Sequence, residues 1–487
     1  MGTAAHHRTP LSRRRLLAAA AAASAAGAGA LAQAAPAWAL PGSAAHPAAA
    51  VRVPAGPQAA GEIRAEFLHA WNGYRAAAWG HDEVRPVSGT WNEFFAAGHP
   101  VGLSVIEALD TLYVMELDDD LTEAADWLEQ NLDFDIDADF HVFEAIIRVV
   151  GGLLAGHLVT GRRSLLDLCV DFTDRLLPAF TKSPTGMPYT RANLRTGEVH
   201  GTTPPLAEIG TNILEFGMLS KLTGDGKYYE AAKRAYRAVL DRRSSLDLLG
   251  TRLDVETGRW TDPTDQGPNP PVDSFYEYLW GAWELFGDRD CLRWWRLLNG
   301  AMTEHLVEEW DGHVWYRQVD FATGETTGRR QSELASFWGG LVAKGGDRRL
   351  GERYHRSWES VLQRWPVLPE EIDYGTMTPT SRGNQFRPEY VNGAFDLYWL
   401  TKDDFYRRTA WQYFEGMKAH ARVPGGYTIL EDVTTSPMRQ GDLFPAYAFA
   451  ENFKYLYLMF ARTRRFDGSD YVLSTEGKIL RGLPRRL

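Results

Sequence analysis

The stretch Phe140-His141-Val142-Phe143-Glu144-Ala145-Ile146-Ile147-Arg148-Val149-Val150-Gly151-Gly152 decides how the chain is read. Phe143, Ile146, Ile147 and Val150 recur at three- and four-residue steps, which predicts an apolar helix. Glu144 and Arg148 stand four apart and share one face of it. A carboxylate in so apolar a run must be solvated, paired or shifted in pKa, because burying a bare charge is costly. For a lone glutamate the plain expectation is an i,i+4 salt bridge on a solvated stripe. The acids elsewhere in the chain change that expectation.

Glu144 opens a series. Glu144, Glu208, Asp273, Glu333, Glu389 and Glu451 follow one another at intervals of 64, 65, 60, 56 and 62 residues. A step of about sixty residues fits one helical hairpin: two helices of ordinary length and two loops. One further hairpin precedes Glu144 and carries Asp110 in a similar apolar run. The spacing therefore predicts some seven hairpins, each placing an acid at the same level. Closed into a ring, they would gather the acids at one end of a barrel. A concave ring of carboxylates suits two tasks. One is holding a hard cation through oxygen ligands and water. The other is glycoside hydrolysis by an acid and a base on opposite sides of a sugar.

Composition agrees with a soluble globular chain: 487 residues, 44% hydrophobic and 24% charged. The net charge of -11 argues against nucleic acid and against an anionic membrane surface as partners. Cys169 and Cys291 could pair, but sequence does not show that they do. Seventeen Trp and twenty Tyr could offer faces to sugar rings, although filling large helical cores is the more frequent use. Ser12-Arg13-Arg14-Arg15-Leu16-Leu17 is a twin-arginine type of pattern, followed by an alanine-rich run and the small-x-small site Ala37-Trp38-Ala39. We expect a signal peptide over 1–39, a flexible Pro/Ala/Gly-rich leader over 40–60 and one domain over 61–487. We expect no other membrane-spanning run, no stable membrane association after signal removal, and a secreted monomer.

Further motifs follow in order. Ala70-Trp71 leads through Tyr74 to Trp79-Gly80-His81-Asp82-Glu83, and then comes Gly102 through Ala108-Leu109-Asp110-Thr111-Leu112. Ala207-Glu208-Ile209-Gly210-Thr211 runs on to Leu214-Glu215-Phe216, with Glu208 and Glu215 two helical turns apart. Asp273-Ser274-Phe275-Tyr276-Glu277-Tyr278-Leu279 repeats the four-residue acid spacing. Arg387-Pro388-Glu389, then Ala450-Glu451 with Lys454-Tyr455-Leu456-Tyr457, then Ser474-Thr475-Glu476 complete the series. Pro388 is expected to set a first helical turn and so to place Glu389 at a helix N-terminus. Together these motifs resemble glycoside hydrolase family 47, the inverting α-1,2-mannosidases, from about Ala70 to Thr475, in the form of a secreted bacterial member.

The resemblance implies an all-α fold, an (αα)7 barrel with carboxylates around its mouth. It implies a calcium-dependent, exo-acting α-1,2-mannosidase that takes a mannose-containing oligosaccharide or glycan and inverts C1. The catalytic carboxylates it implies are Glu144 as acid, its pKa raised by neighbouring carboxylates, Glu389 as preferred base, and Asp273. Arg148, Glu208, Arg387, Tyr447 and Glu451 would bind the sugar. Thr475 would ligate Ca2+ directly, with Glu208, Glu277, Glu389, Glu451 and Glu476 around it through water. Three positions depart from the family pattern: Pro271 stands where the endoplasmic-reticulum members have Arg, Glu333 where many members have His, and Asn392 where members usually have Glu. These departures leave two alternatives: a mannose-binding protein that has lost catalysis, and an (αα)-barrel glycosidase of other sugar specificity.

Overall fold

A computed structural model of the protein describes residues 52–484. The expected signal peptide and most of the expected leader lie outside the described residues. The helices pair as hairpins, and the partner of each is its neighbour in sequence. Leu103–Val114 (α2) pairs with Asp118–Asn131 (α3), and Val142–Thr160 (α4) with Arg163–Leu176 (α5). Ile213–Thr223 (α6) pairs with Lys227–Leu240 (α7), and Asp273–Phe286 (α8) with Arg289–His305 (α9). Trp338–Lys344 (α10) pairs with Arg348–Leu362 (α11), and Glu389–Thr401 (α12) with Asp404–Ala421 (α13). The seventh hairpin is split between the ends of the chain: Asn452–Phe460 (α14) packs on Gly56–Ala78 (α1). This is an (αα)7 barrel. Its inner ring is α2, α4, α6, α8, α10, α12 and α14.

The two rings differ in pattern for a physical reason. An inner helix touches protein on all sides, and α2 is buried along almost its whole length. An outer helix keeps one wet face: α7 buries Tyr228, Ala231, Ala235, Tyr236 and Val239 and turns Glu230, Arg234 and Arg237 outward. Helix α4 is long and apolar enough to cross a membrane by length and composition, yet 78% of its most apolar window is buried in the barrel. The large aromatics do core work, with Trp71, Trp295, Trp315, Trp338, Trp358 and Trp411 fully buried.

Two expectations change, and the open question of the cysteines is answered. The opening stretch is a strand as far as His141, a helix from Val142, and a π-helical turn over Ala145–Val150. Ile146, Ile147, Val149 and Val150 crowd a regular α turn, and such wider turns are common at functional sites. Gly152 follows because α4 runs tight on α2: a Cβ there would meet Ile106 Cγ2 at 2.4 Å. Helix α1 starts at Gly56, before the expected position 61, with Pro57 in its first turn and Ala59 and Ala60 buried. Cys169 and Cys291 are both free and buried.

Short hairpin strands occupy the loops that enter the inner helices, such as Asp139–His141 with Arg191–Asn193 before α4. The last hairpin, Val472–Leu473 with Ile479–Arg481, does something else. Lys478, fully buried, reaches Glu107 of α2, and the Ile479 N–H donates to Asp110 Oδ2 at 2.9 Å. Gly477 lies against Tyr455 and Glu451, and the Thr475 N–H donates to the Tyr278 hydroxyl at 3.3 Å. The hairpin is thus held inside the ring by α2, α8 and α14, and its turn carries Thr475 and Glu476.

Candidate active site

The expected acids lie where inner helices begin. Asp273 is the first residue of α8 and Glu389 the first of α12, directly after Pro388. Glu144 lies in the first turn of α4, and Glu451 immediately precedes α14. Helix N-termini carry partial positive charge and unbonded N–H groups, so carboxylates are favoured there. One cavity of about 150 Å³ is lined by Glu144, Arg148, Asp273, Glu277, Arg387, Glu389, Tyr447, Glu451, Thr475 and Glu476. Phe143, Ile147, Leu334 and Phe337 supply its apolar wall. The hairpin carrying Thr475 and Glu476 reaches the cavity from inside the ring.

Glu144 does form the plain salt bridge: Arg148 Nε donates to Glu144 Oε2 at 2.6 Å. The pair is not on a solvated stripe, however. Arg148 is buried, and its Nη1 also donates to Glu476 at 2.8 Å and Glu107 at 3.4 Å. Contrary to expectation, the group directly on Glu144 is therefore a guanidinium and not a carboxylate. The Glu144 side chain remains 26% exposed, open to the cavity. Arg148 and Arg387 are less free to read hydroxyls than expected, since Arg387 Nε is engaged by Glu370 at 3.1 and 3.2 Å. Both guanidinium carbons lie over the Tyr447 ring, at 5.3 and 5.8 Å from its centre.

Burial dominates the electrostatics. It lifts Asp273 to about 6, with the Ser274 N–H, which donates at 2.8 Å, and Arg387 pulling the other way. Glu389 rises to about 7 by burial, opposed by Arg387 and reinforced by Glu370 and Asp273. Burial takes Glu277 to about 8, and pushes Glu451 and Glu476 upward as each repels the other.

Some expected residues land elsewhere. Glu208 is not in the cavity wall: His141 stands beside it, Nε2 to Oε1 3.3 Å. Glu215 does not share its level, because the helix breaks between Gly210 and Ile213, and Glu215 is buried deeper beneath the Tyr278 hydroxyl at 2.7 Å. Asp110 neither caps a helix nor reaches the cavity. It pairs with Lys454 at 2.7 Å, both fully buried. Of the three departures only Asn392 lines the cavity; Pro271 and Glu333 do not. Sequence reasoning missed Glu107 and Glu370. Glu107 lies one turn before Asp110 and was available to the same spacing argument, whereas Glu370 sits in a loop with no period to mark it.

Comparison with known proteins gives the arrangement a family. The profile of glycosyl hydrolase family 47 matches residues 66–482, nearly the whole barrel and every cavity residue named above. The chain belongs to glycosyl hydrolase family 47. Alpha-mannosidase I MNS5 of Arabidopsis thaliana is 34% identical over 85% of this chain and 76% of its own length. The endoplasmic reticulum mannosyl-oligosaccharide 1,2-alpha-mannosidase of Rattus norvegicus is 31% identical over 84% of this chain and 66% of its own. The α-1,2-mannosidase from Trichoderma reesei shares the fold, with a TM-score of 0.80 at 24% identity over 88% of this chain and 99% of that one. This family 47 chain is thus a glycoside hydrolase of the mannosyl-oligosaccharide 1,2-α-mannosidase family.

Family 47 enzymes are generally calcium-dependent, and the donor set here fits a hydrated hard cation. Glu277 Oε2 and Glu389 Oε2 are buried at the cavity without a protein hydrogen-bond partner; Glu208 Oε2 is likewise unpartnered, outside the cavity lining. Glu277 faces the Thr475 side chain. Among the described residues no three acid, His or Cys side chains converge tightly enough to hold a metal by themselves. The fit is therefore to a Thr475-centred site with acids one water away, not to a carboxylate cage.

Proposed function

We propose that this chain is a calcium-dependent, exo-acting α-1,2-mannosidase that releases one terminal mannose at a time with inversion. One observation carries the proposal: Glu144, Asp273 and Glu389 enter a single cavity from the second, fourth and sixth hairpins. They thus face a bound ring from three sides. The volume of about 150 Å³ suits one six-membered ring. A cavity that admits one ring favours chain ends over internal linkages.

In this mechanism Glu144, on α4, gives its proton to the glycosidic oxygen as the C1–O bond breaks. Glu389, lifted to about 7 and so poised near neutrality, takes a proton from water attacking C1 from another side. Direct attack by water inverts the anomeric carbon. Asp273 is the third carboxylate, adjacent to both Glu277 and Arg387 in the cavity wall. Arg148 keeps Glu144 aimed, and Phe143, Phe337 and Tyr447 exclude bulk water. Thr475, with Glu208, Glu277, Glu389, Glu451 and Glu476 around it, would hold a calcium ion that supplies a hard positive charge for sugar and water oxygens. The twin-arginine pattern and the Ala37-Trp38-Ala39 site support export before the enzyme works on mannose-bearing glycans.

The test is incubation with α-1,2-mannobiose, with and without a calcium chelator, the product anomer being followed by NMR. We expect β-mannose as the first product, loss of turnover with chelator and recovery with calcium. Retained configuration, or full turnover in metal-free protein, would overturn the mechanism.

A further inference from the structure

Glu333 stands outside the cavity although its neighbours Leu334 and Phe337 line it. It opens the short 3-10 helix Glu333–Phe337 and is fully buried. Among the described residues no guanidinium or ammonium is hydrogen-bonded to it; the nearby Arg387 Nε is taken by Glu370. Its two oxygens meet Asn384 Nδ2 at 2.6 Å and the Tyr413 hydroxyl at 2.7 Å. Both partners hold the segment that leads into α12. Asn384 Oδ1 accepts from the Phe386 N–H at 2.8 Å and the Arg387 N–H at 3.3 Å. The Tyr413 hydroxyl lies 3.1 Å from the Arg387 carbonyl. That segment needs holding, because Phe386 sits at φ 63°, a left-handed conformation that a bulky side chain adopts only when its surroundings impose it.

We propose that Glu333 is a positioning residue: through Asn384 and Tyr413 it clamps the turn that presents Arg387 and Glu389 to the cavity. The proton inventory says how. A phenol has one proton, so Tyr413 cannot donate both to an ionised Glu333 and to the Arg387 carbonyl. As a neutral acid Glu333 donates to Tyr413, Tyr413 passes its own proton to the Arg387 carbonyl, and Asn384 donates to the remaining Glu333 oxygen. The second Asn384 Nδ2 proton goes to the Leu368 carbonyl at 2.9 Å, so that Glu333, Tyr413 and Asn384 each donate to a partner of their own. Full burial, with Glu370 and Glu389 close by, favours that neutral form.

The inference rests on the proposed roles of Arg387 and Glu389, so the experiment reads the clamp in two ways. Steady-state kinetics on α-1,2-mannobiose and amide hydrogen exchange at residues 385–387 are measured for Glu333→Gln, Glu333→Leu and Tyr413→Phe. Gln carries the same donor and acceptor as the neutral acid, so Glu333→Gln should keep kcat within about twofold. Glu333→Leu and Tyr413→Phe should lower kcat by about tenfold or more, with a smaller change in KM, because misplacement of about 1 Å is that expensive. The Phe386 and Arg387 amides should exchange faster in both. The double variant should be no worse than the poorer single one, since the two act through one network. If Glu333→Leu fails to fold, Tyr413→Phe and Glu333→Gln still decide. Parent-like kcat with protected amides in Tyr413→Phe or a folded Glu333→Leu, or a Glu333→Gln variant as impaired as Tyr413→Phe, would overturn the clamp. A parent protein that hydrolyses no α-1,2-mannoside defeats the proposed function instead, and the exchange data then judge the clamp alone.

Discussion

Arg148 gathers three carboxylates onto one buried guanidinium: Glu144 at 2.6 Å, Glu476 at 2.8 Å and Glu107 at 3.4 Å. Glu107 also has Lys478, but among the described residues Glu144 and Glu476 have no other cation within bonding distance. Arg148→Met would leave them uncompensated, and we expect a loss of roughly 3–5 kcal/mol in urea denaturation, the usual cost of removing one partner from a buried pair. Glu144→Gln is the complementary change. Gln can still accept from Arg148, so folding should be little altered. The transferable proton is gone, so turnover on α-1,2-mannobiose should fall by about 10²–10⁴-fold. A mannoside with a good leaving group needs less protonation and should suffer less. Near-parent turnover would remove Glu144 from the mechanism and leave Asp273 as the acid.

Elements position these residues, and the outer ring supports them at a distance. His355 of α11 is fully buried, stacked on Tyr390 at 4.8 Å, the residue after Glu389. Burial lowers its pKa from the usual imidazole range to about 3. The unfolded chain therefore binds a proton near pH 6.5 that the folded chain refuses until about pH 3. The sign follows from linkage: His355 contributes no penalty above about pH 6.5, and stability falls as pH drops through the window below it. The expected slope is roughly 1.4 kcal/mol per pH unit. Urea denaturation from pH 7 to pH 4.5 should show the parent losing stability relative to His355→Phe at about this slope, because the raised carboxylates Asp273, Glu277 and Glu389 act with the opposite sign and equally in both proteins. Equal slopes in the two proteins would show that His355 is not the acid-sensitive group.

At the scale of the whole molecule, the ring is completed by the two ends of the domain. Helix α1 backs α14, and the C-terminal hairpin enters the ring on the Asp110, Glu107 and Tyr278 contacts. Calcium binding there should tie the hairpin to several hairpins at once. A ligand that binds only the folded state at about 100 times its Kd adds about 2.7 kcal/mol, so calcium should raise Tm in a concentration-dependent way. A chain cut after Tyr471 loses Thr475, Glu476 and Lys478 together. We expect it to lose both the calcium-dependent rise in Tm and turnover. A truncated chain that keeps the calcium response would move the ion away from Thr475.

What the sequence determined by itself was the barrel and the ring. A sixty-residue period in acids from Glu144 to Glu451 is a statement about repeated hairpins, and local hairpins need only neighbouring contacts to form. The helix start at Glu389 after Pro388 was legible for the same reason, being a local backbone preference. What tertiary structure alone decided was the partner of each buried charge. Glu333 and Glu389 belong to one series, yet one lines the cavity and the other sits behind it on Asn384 and Tyr413. Glu208 pairs with His141 outside the cavity wall, Asp110 pairs with a lysine 344 residues away, and Glu107 with one 371 away. Spacing along a helix fixes the direction in which a carboxylate points. Which cation or hydroxyl meets it depends on long-range packing, because the desolvation that makes such a pair necessary exists only after the ring has closed.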